Sequence, residues 1–290
     1  MRSICAIILF LIVESCSLSN YQRQGRVAPK SYHQTISFTT FKSVITLPVE
    51  VDGEYRNFLF DTGAQLSLLQ SDETKGKRMS VSGASKRKVW LYRHKVSSMR
   101  IGDVDFKKVN VLSGDFTGLK EQIPDFGGLI GQSILNKANW KIDYPNRTLE
   151  VSNTPFPLDS MHAIPIIRSG GSPYADISIA GTTYRAIIDL GSSAKGLNVP
   201  DDHPLAQRLM DKFTFEGHTR DIYTMGGLQT VTERVGTLPF VWLSGVGFKD
   251  VPVDIRNSSD LRIGMNFFKD CVLVIDNDAG VYRLRKRIES

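Results

Sequence analysis

The chain has 290 residues, with 36 Lys and Arg against 30 Asp and Glu, a formal net charge of +6, and 41% hydrophobic residues. That is room for one large domain or two modest ones, and the composition excludes a low-complexity or disordered chain. The basic excess reads first as a solvated face, and with no nucleic-acid-binding motif beside it, it predicts no nucleic-acid partner.

Taken in chain order, the first element is a targeting segment. Arg2 precedes an apolar stretch over 4–13, too short to span a bilayer as a stable helix and of the length of a signal-peptide core. Ser15-Cys16 follows directly and resembles the cleavage site of a bacterial lipoprotein. The expectation is a signal peptide at 1–15, export across the inner membrane, and lipidation of Cys16 as a membrane anchor in the cell envelope. Residues 16–34 are polar and aperiodic, which predicts a tether. With Cys5 in the signal and Cys16 at the anchor, Cys271 is left alone, so there is no disulfide framework to read. Cys271 stands before Val272-Leu273-Val274-Ile275 and reads as a small buried apolar residue.

From Thr35 onward the pattern is that of strands. Short runs of Val, Ile, Phe and Thr are punctuated by Asp-Gly, Gly and Pro, and no long stretch has apolar residues at helical spacing. Val49-Glu50-Val51-Asp52-Gly53-Glu54-Tyr55 reads as a hairpin, and Ile177-Ser178-Ile179-Ala180-Gly181-Thr182-Thr183-Tyr184 as its counterpart. The exception is 204–213, where a short surface helix is expected.

The chain carries one pattern twice. Phe58-Leu59-Phe60-Asp61-Thr62-Gly63-Ala64 recurs as Ala186-Ile187-Ile188-Asp189-Leu190-Gly191-Ser192, its aspartate 128 positions later (189 − 61). Each copy has a Gly eight residues before its Asp, at Gly53 and Gly181. Gly131 lies twelve residues before Asp143 (143 − 131), as Gly264 lies twelve before Asp276 (276 − 264). Two repeats exclude a solenoid and favour a face-to-face pair, with units at 35–152 and 160–287 joined through Asn153-Thr154-Pro155-Phe156-Pro157.

These residues resemble the retropepsin-like aspartic peptidases, in a single-chain form with two fused lobes. The resemblance covers nearly all of 35–287. It implies an all-β fold of two homologous β-barrel lobes about a pseudo-twofold axis, with a cleft between them. It implies an endopeptidase for peptide or protein substrates, with Asp61 and Asp189 as a catalytic pair supported by Thr62, Gly63 and Gly191, and no cofactor or metal. Two carboxylates about 3 Å apart cannot both ionise, so one carries a proton while the other activates a water. Gly beside each Asp lets the loops approach where a Cβ would hold them apart. In the family a Thr hydroxyl on each loop bonds the opposite backbone. Thr62 can do so; Leu190 cannot.

The family's apolar-apolar-Gly segment is met fully by Leu129-Ile130-Gly131 and less well by Arg262-Ile263-Gly264, where Arg262 takes an apolar slot. The resemblance also implies a flap hairpin in each lobe, placed at 81–92 and 219–230, with Tyr223 and Gly226 as flap candidates. A catalytically silent peptide- or protein-binding module on the same fold is the alternative that Leu190 raises. Basic residues crowd the first flap (Lys75, Lys77, Arg78, Lys86, Arg87, Lys88, Arg93, Lys95), and read either as a solvated hairpin or as a preference for acidic substrates. Five histidines, none at ligand spacing, predict no metal site.

Overall fold

In a computed structural model of the chain, residues 20–287 are described, save Ala84 and Asp159. The signal segment and Cys16 lie outside the described residues. Strands take 58% of the described residues and helices 9%, which makes the fold all-β. Three sheets hold it together. A nine-stranded sheet belongs to the first half and an eight-stranded sheet to the second; a six-stranded sheet draws on both.

The turns follow from the local sequence. Glu54–Phe60 pairs with Val44–Val51 through Asp52-Gly53, and Thr182–Asp189 pairs with Ser172–Ile179 through Ala180-Gly181. Both residues of each turn have positive φ (48° and 99°; 49° and 78°), the signature of the two-residue type I′ hairpin that matches strand twist.

The halves then repeat the same ladder. In the first, Phe126–Ile130 runs parallel to Glu54–Phe60 and antiparallel to Ser67–Gln70, which is itself parallel to Val104–Gly114. In the second, Arg262–Gly264 runs parallel to Thr182–Asp189 and antiparallel to Leu197–Pro200, which is parallel to Val246–Arg256. Each ladder delivers an aspartate to the end of a buried strand.

The six-stranded sheet joins the halves. The hairpin Asn139–Asp143/Thr148–Ser152 meets the hairpin Cys271–Asp276/Val281–Lys286 with Trp140 opposite Ile275 and Asp143 opposite Val272. Its edges are His33–Ser37 and His162–Pro165, one from each half. Trp140 is fully buried, stacked on Phe106 at 6.0 Å and edge-on to Phe60 at 5.5 Å, and its Nε1 donates to Leu135 O at 2.9 Å. Burying such a side chain contributes about 1.5–3 kcal/mol, and here it also fixes Phe60, the residue before Asp61. The expected helix is present as Pro204–Met210; His203 caps it by accepting from Leu205 N, and Leu205, Ala206 and Leu209 face the core.

The expected tether at 16–34 is corrected from residue 20 onward. Residues 20–23 are helical, Arg26–Ala28 pairs with Val104–Gly114, and His33–Ser37 pairs with Thr148–Ser152. Gln22 is buried and its Nε2 donates to Gln65 O at 2.6 Å, while Lys137 Nζ donates to Arg23 O at 2.9 Å and Asn110 Nδ2 to Tyr21 O at 2.9 Å. The segment is polar because its partners are backbone groups and amides, and polarity alone does not distinguish such a segment from a solvated one.

Candidate active site

The two aspartates are placed by equivalent backbone devices. Asp61 follows the buried run Phe58-Leu59-Phe60, and its N–H donates to Ile130 O at 2.9 Å, which ties the loop to the neighbouring parallel strand. Asp189 ends its strand opposite Gly264. Gly131 and Gly264 make room for the loops: a Cβ on Gly131 would lie 2.6 Å from Leu66 O, and one on Gly264 3.1 Å from Ser192 O.

The loops meet tip to tip. A Cβ added to Gly63 would lie 2.7 Å from Cγ of Asp189, and one on Gly191 would overlap the carboxyl of Asp61. Each glycine therefore lies against the opposite carboxyl group. Asp61 Oδ1 accepts from Gly63 N at 2.8 Å and Ala64 N at 3.0 Å; Asp189 Oδ1 accepts from Gly191 N at 3.1 Å.

Thr62 bridges the loops. Its buried hydroxyl donates to Ile188 O at 2.6 Å and accepts from Leu190 N at 2.9 Å. Leu190 returns nothing of the kind, because its side chain carries no polar group and lies fully buried in the apolar core. A residue that sequence reasoning missed supports the first loop from behind: Gln132 Nε2 donates to Thr62 O at 2.7 Å, and Gln132 Oε1 accepts from Arg168 Nη1 at 3.1 Å. Its only signal in the sequence was its place after Gly131.

Electrostatics favour the neutral form of Asp61. Burial, and then the charge of Asp189, push Asp61 up to about 8, against the opposing pull of the Ala64 N–H and the Arg262 charge. On the other side, Arg262 Nη1 donates to Asp189 Oδ2 at 2.6 Å, with both side chains more than nine-tenths buried. The sequence marked Arg262 only as a misfit in an apolar slot.

The two flap regions are hairpins, Arg78–Ser82 with Lys88–Ile101 and Glu216–Thr224 with Gly227–Leu243. Their tips meet. Gln229 Nε2 donates to Ser85 Oγ at 3.4 Å, and Lys86 of the first hairpin pairs with Asp202 of the second half at 2.9 Å. Tyr223 and Met225 pack against the apolar cluster of the first half, and Lys42 Nζ sits 4.8 Å from the Tyr223 ring centre. A cavity of about 280 Å³ lies between the hairpins, lined among others by Arg87, Trp90, Leu91, Phe116 and Gly226. The structure thus brings Asp61, Thr62, Gly63, Asp189 and Gly191 together, while Tyr223 and Gly226 sit where the hairpins meet. Cys271 is buried, its thiol pushed up to about 12 by that burial, which leaves it unreactive.

No curated protein matches the chain. Residues 47–134 match a family model described as aspartyl protease, a span that holds Asp61, Thr62, Gly63 and Gly131. The match makes this part of the first half similar to aspartyl proteases.

Proposed function

We propose that the protein is a two-lobed aspartic endopeptidase in which Asp61 and Asp189 activate water against a peptide bond. The observation that carries this reading is the tip-to-tip meeting of the two loops, with each glycine against the opposite carboxyl. Asp61, raised to about 8, holds the proton near neutral pH. Water adds to the scissile carbon as its proton passes to Asp189, while the Asp61 proton passes to the carbonyl oxygen. The C–N bond then breaks as Asp189 protonates the leaving nitrogen and a hydroxyl proton returns to Asp61. Both carboxyls end as they began, with no covalent intermediate. The hairpins supply edge strands for an extended substrate and shield the reaction from water.

Cleavage of a mixed peptide library from about pH 4 to pH 9 tests this. The wild type is expected to cleave, and Asp61→Asn and Asp189→Asn each to abolish cleavage. Hydrolysis that persists undiminished in both variants overturns the mechanism.

The apolar stretch over 4–13 followed by Ser15-Cys16 supports export and a lipid anchor on Cys16. The mature chain is expected to start at Cys16 and partition with membranes, and Cys16→Ala to release it or block its processing. A processed Cys16→Ala chain that stays membrane-bound rules out the anchor.

A further inference from the structure

Arg262 opens the strand Arg262–Gly264, and its counterpart in the first half is Leu129, a buried apolar residue. A guanidinium in such a slot costs several kcal/mol of desolvation unless it is paired, and here it is paired with the site itself. Nη1 donates to Asp189 Oδ2 at 2.6 Å, and Nη2 is held by Ser259 Oγ at 3.0 Å and Asp260 Oδ2 at 3.1 Å. Both carboxyls accept from backbone N–H groups through Oδ1, and Asp189 accepts from a cation as well.

We propose that Arg262 is a positioning residue that assigns the roles of the two aspartates, keeping Asp189 as the base and leaving the shared proton on Asp61. This rests on the peptidase reading. In a symmetric pair the proton can sit on either carboxyl, and half of the enzyme at any moment has acid and base exchanged. A guanidinium is always charged and only donates, so it holds Oδ2 as an acceptor and sets a fixed positive charge beside this carboxyl. Asp189 Oδ1, which accepts from Gly191 N, is left as the atom that takes the proton from water. Ser259 and Asp260 keep the guanidinium from swinging away.

The titratable groups about the guanidinium are Asp189 and Asp61 on the two loops, Asp260 in the turn before its own strand, and Tyr174 on Ser172–Ile179. Burial raises the Tyr174 phenol, which keeps it neutral through the working range, so the carboxyls alone decide where the proton lies.

The test compares wild type, Arg262→Leu, Arg262→Gln and Arg262→Lys by the pH dependence of kcat and KM, and by carbon NMR titration of the aspartate carboxyls. Loss of the positive charge is expected to move both limbs of the Leu profile to higher pH by about one unit, with kcat falling more than KM rises. Lys, which keeps the charge without the fork, is expected to hold the limbs near their wild-type positions at reduced kcat. Should the Leu variant not fold, the Gln variant, a donor without charge, must show the same displacement. A Leu or Gln profile that superimposes on wild type after scaling, with unchanged carboxyl titration, overturns the proposal. If the wild type cleaves nothing at any pH, the peptidase reading fails, and the carboxyl titrations still decide whether Arg262 separates the two aspartates.

Discussion

The loop at Asp61-Thr62-Gly63 and the loop at Asp189-Leu190-Gly191 occupy equivalent places and are held by different physics. The first is held by neutral hydrogen bonds: the Thr62 hydroxyl reaches Ile188 O and Leu190 N, and Gln132 holds Thr62 O. The second receives the Thr62 bonds on its backbone and adds an apolar side chain in the core and an ion pair on its carboxylate. A duplicated unit needs only to keep the carboxyls opposed, and each copy has reached that by separate means. The cation stands on one side only.

Asp61→Asn and Asp189→Asn test the pair most severely. Each removes one partner of the proton exchange, which by itself is worth about 10²–10⁴-fold in kcat, and cleavage is expected to be abolished. Next come the glycines. Gly63→Ala and Gly191→Ala place a methyl group against the opposite carboxyl, and displacing reacting groups by about 1 Å is expected to cost about 10²-fold in kcat/KM, read against an unchanged circular dichroism spectrum. Activity that survives either change means that the loops can part without consequence.

Thr62→Val breaks the comparison on the hydrogen-bonded side. It strips Ile188 O and Leu190 N of their buried partner at a cost of about 1–3 kcal/mol for each group left unsatisfied, measured as a lower midpoint in urea. Leu190→Thr acts in the opposite sense, restoring a hydroxyl on the second loop, and is expected to leave the fold intact and to preserve or raise turnover.

A further effect is in pH and stability. Burial and the Asp189 charge lift Asp61 from 3.8 to about 8 in the folded protein. The unfolded chain therefore loses this proton first as pH rises. The contribution to stability is full below about pH 4 and is lost progressively up to about pH 8. Asp61→Asn is expected to flatten that part of the stability curve in urea titrations, and activity is expected to fall as pH passes about 8 and the shared proton leaves.

Much of this was legible because it is local. The Asp-Thr-Gly run, its degenerate copy and the paired glycines are short patterns whose backbone needs are written in the residues themselves, and the two-residue hairpins at Asp52-Gly53 and Ala180-Gly181 follow from turn chemistry. What escaped depends on register between distant strands. Arg262 reads as a misfit until its strand is laid beside Thr182–Asp189, which puts the guanidinium on the carboxylate. Gln132 is one amide among many until Gly131 places it under Thr62. Residues from Asn20 to Gln34 looked like solvated chain because their partners are backbone groups and amides spread across the first half.

The sheet shared by the two halves has a kinetic consequence. Trp140 faces Ile275 across it, a separation of 135 positions (275 − 140), so the central pairing closes one of the longest loops in the chain. During synthesis the hairpin Asn139–Asp143/Thr148–Ser152 is complete long before its partner exists, and one of its edges stands open in the meantime. An emerging first half is thus the aggregation-prone species on the way to the native state. A refolding chain should yield more soluble protein when diluted than when concentrated, since open edges of different molecules compete with the one late-arriving strand that belongs there.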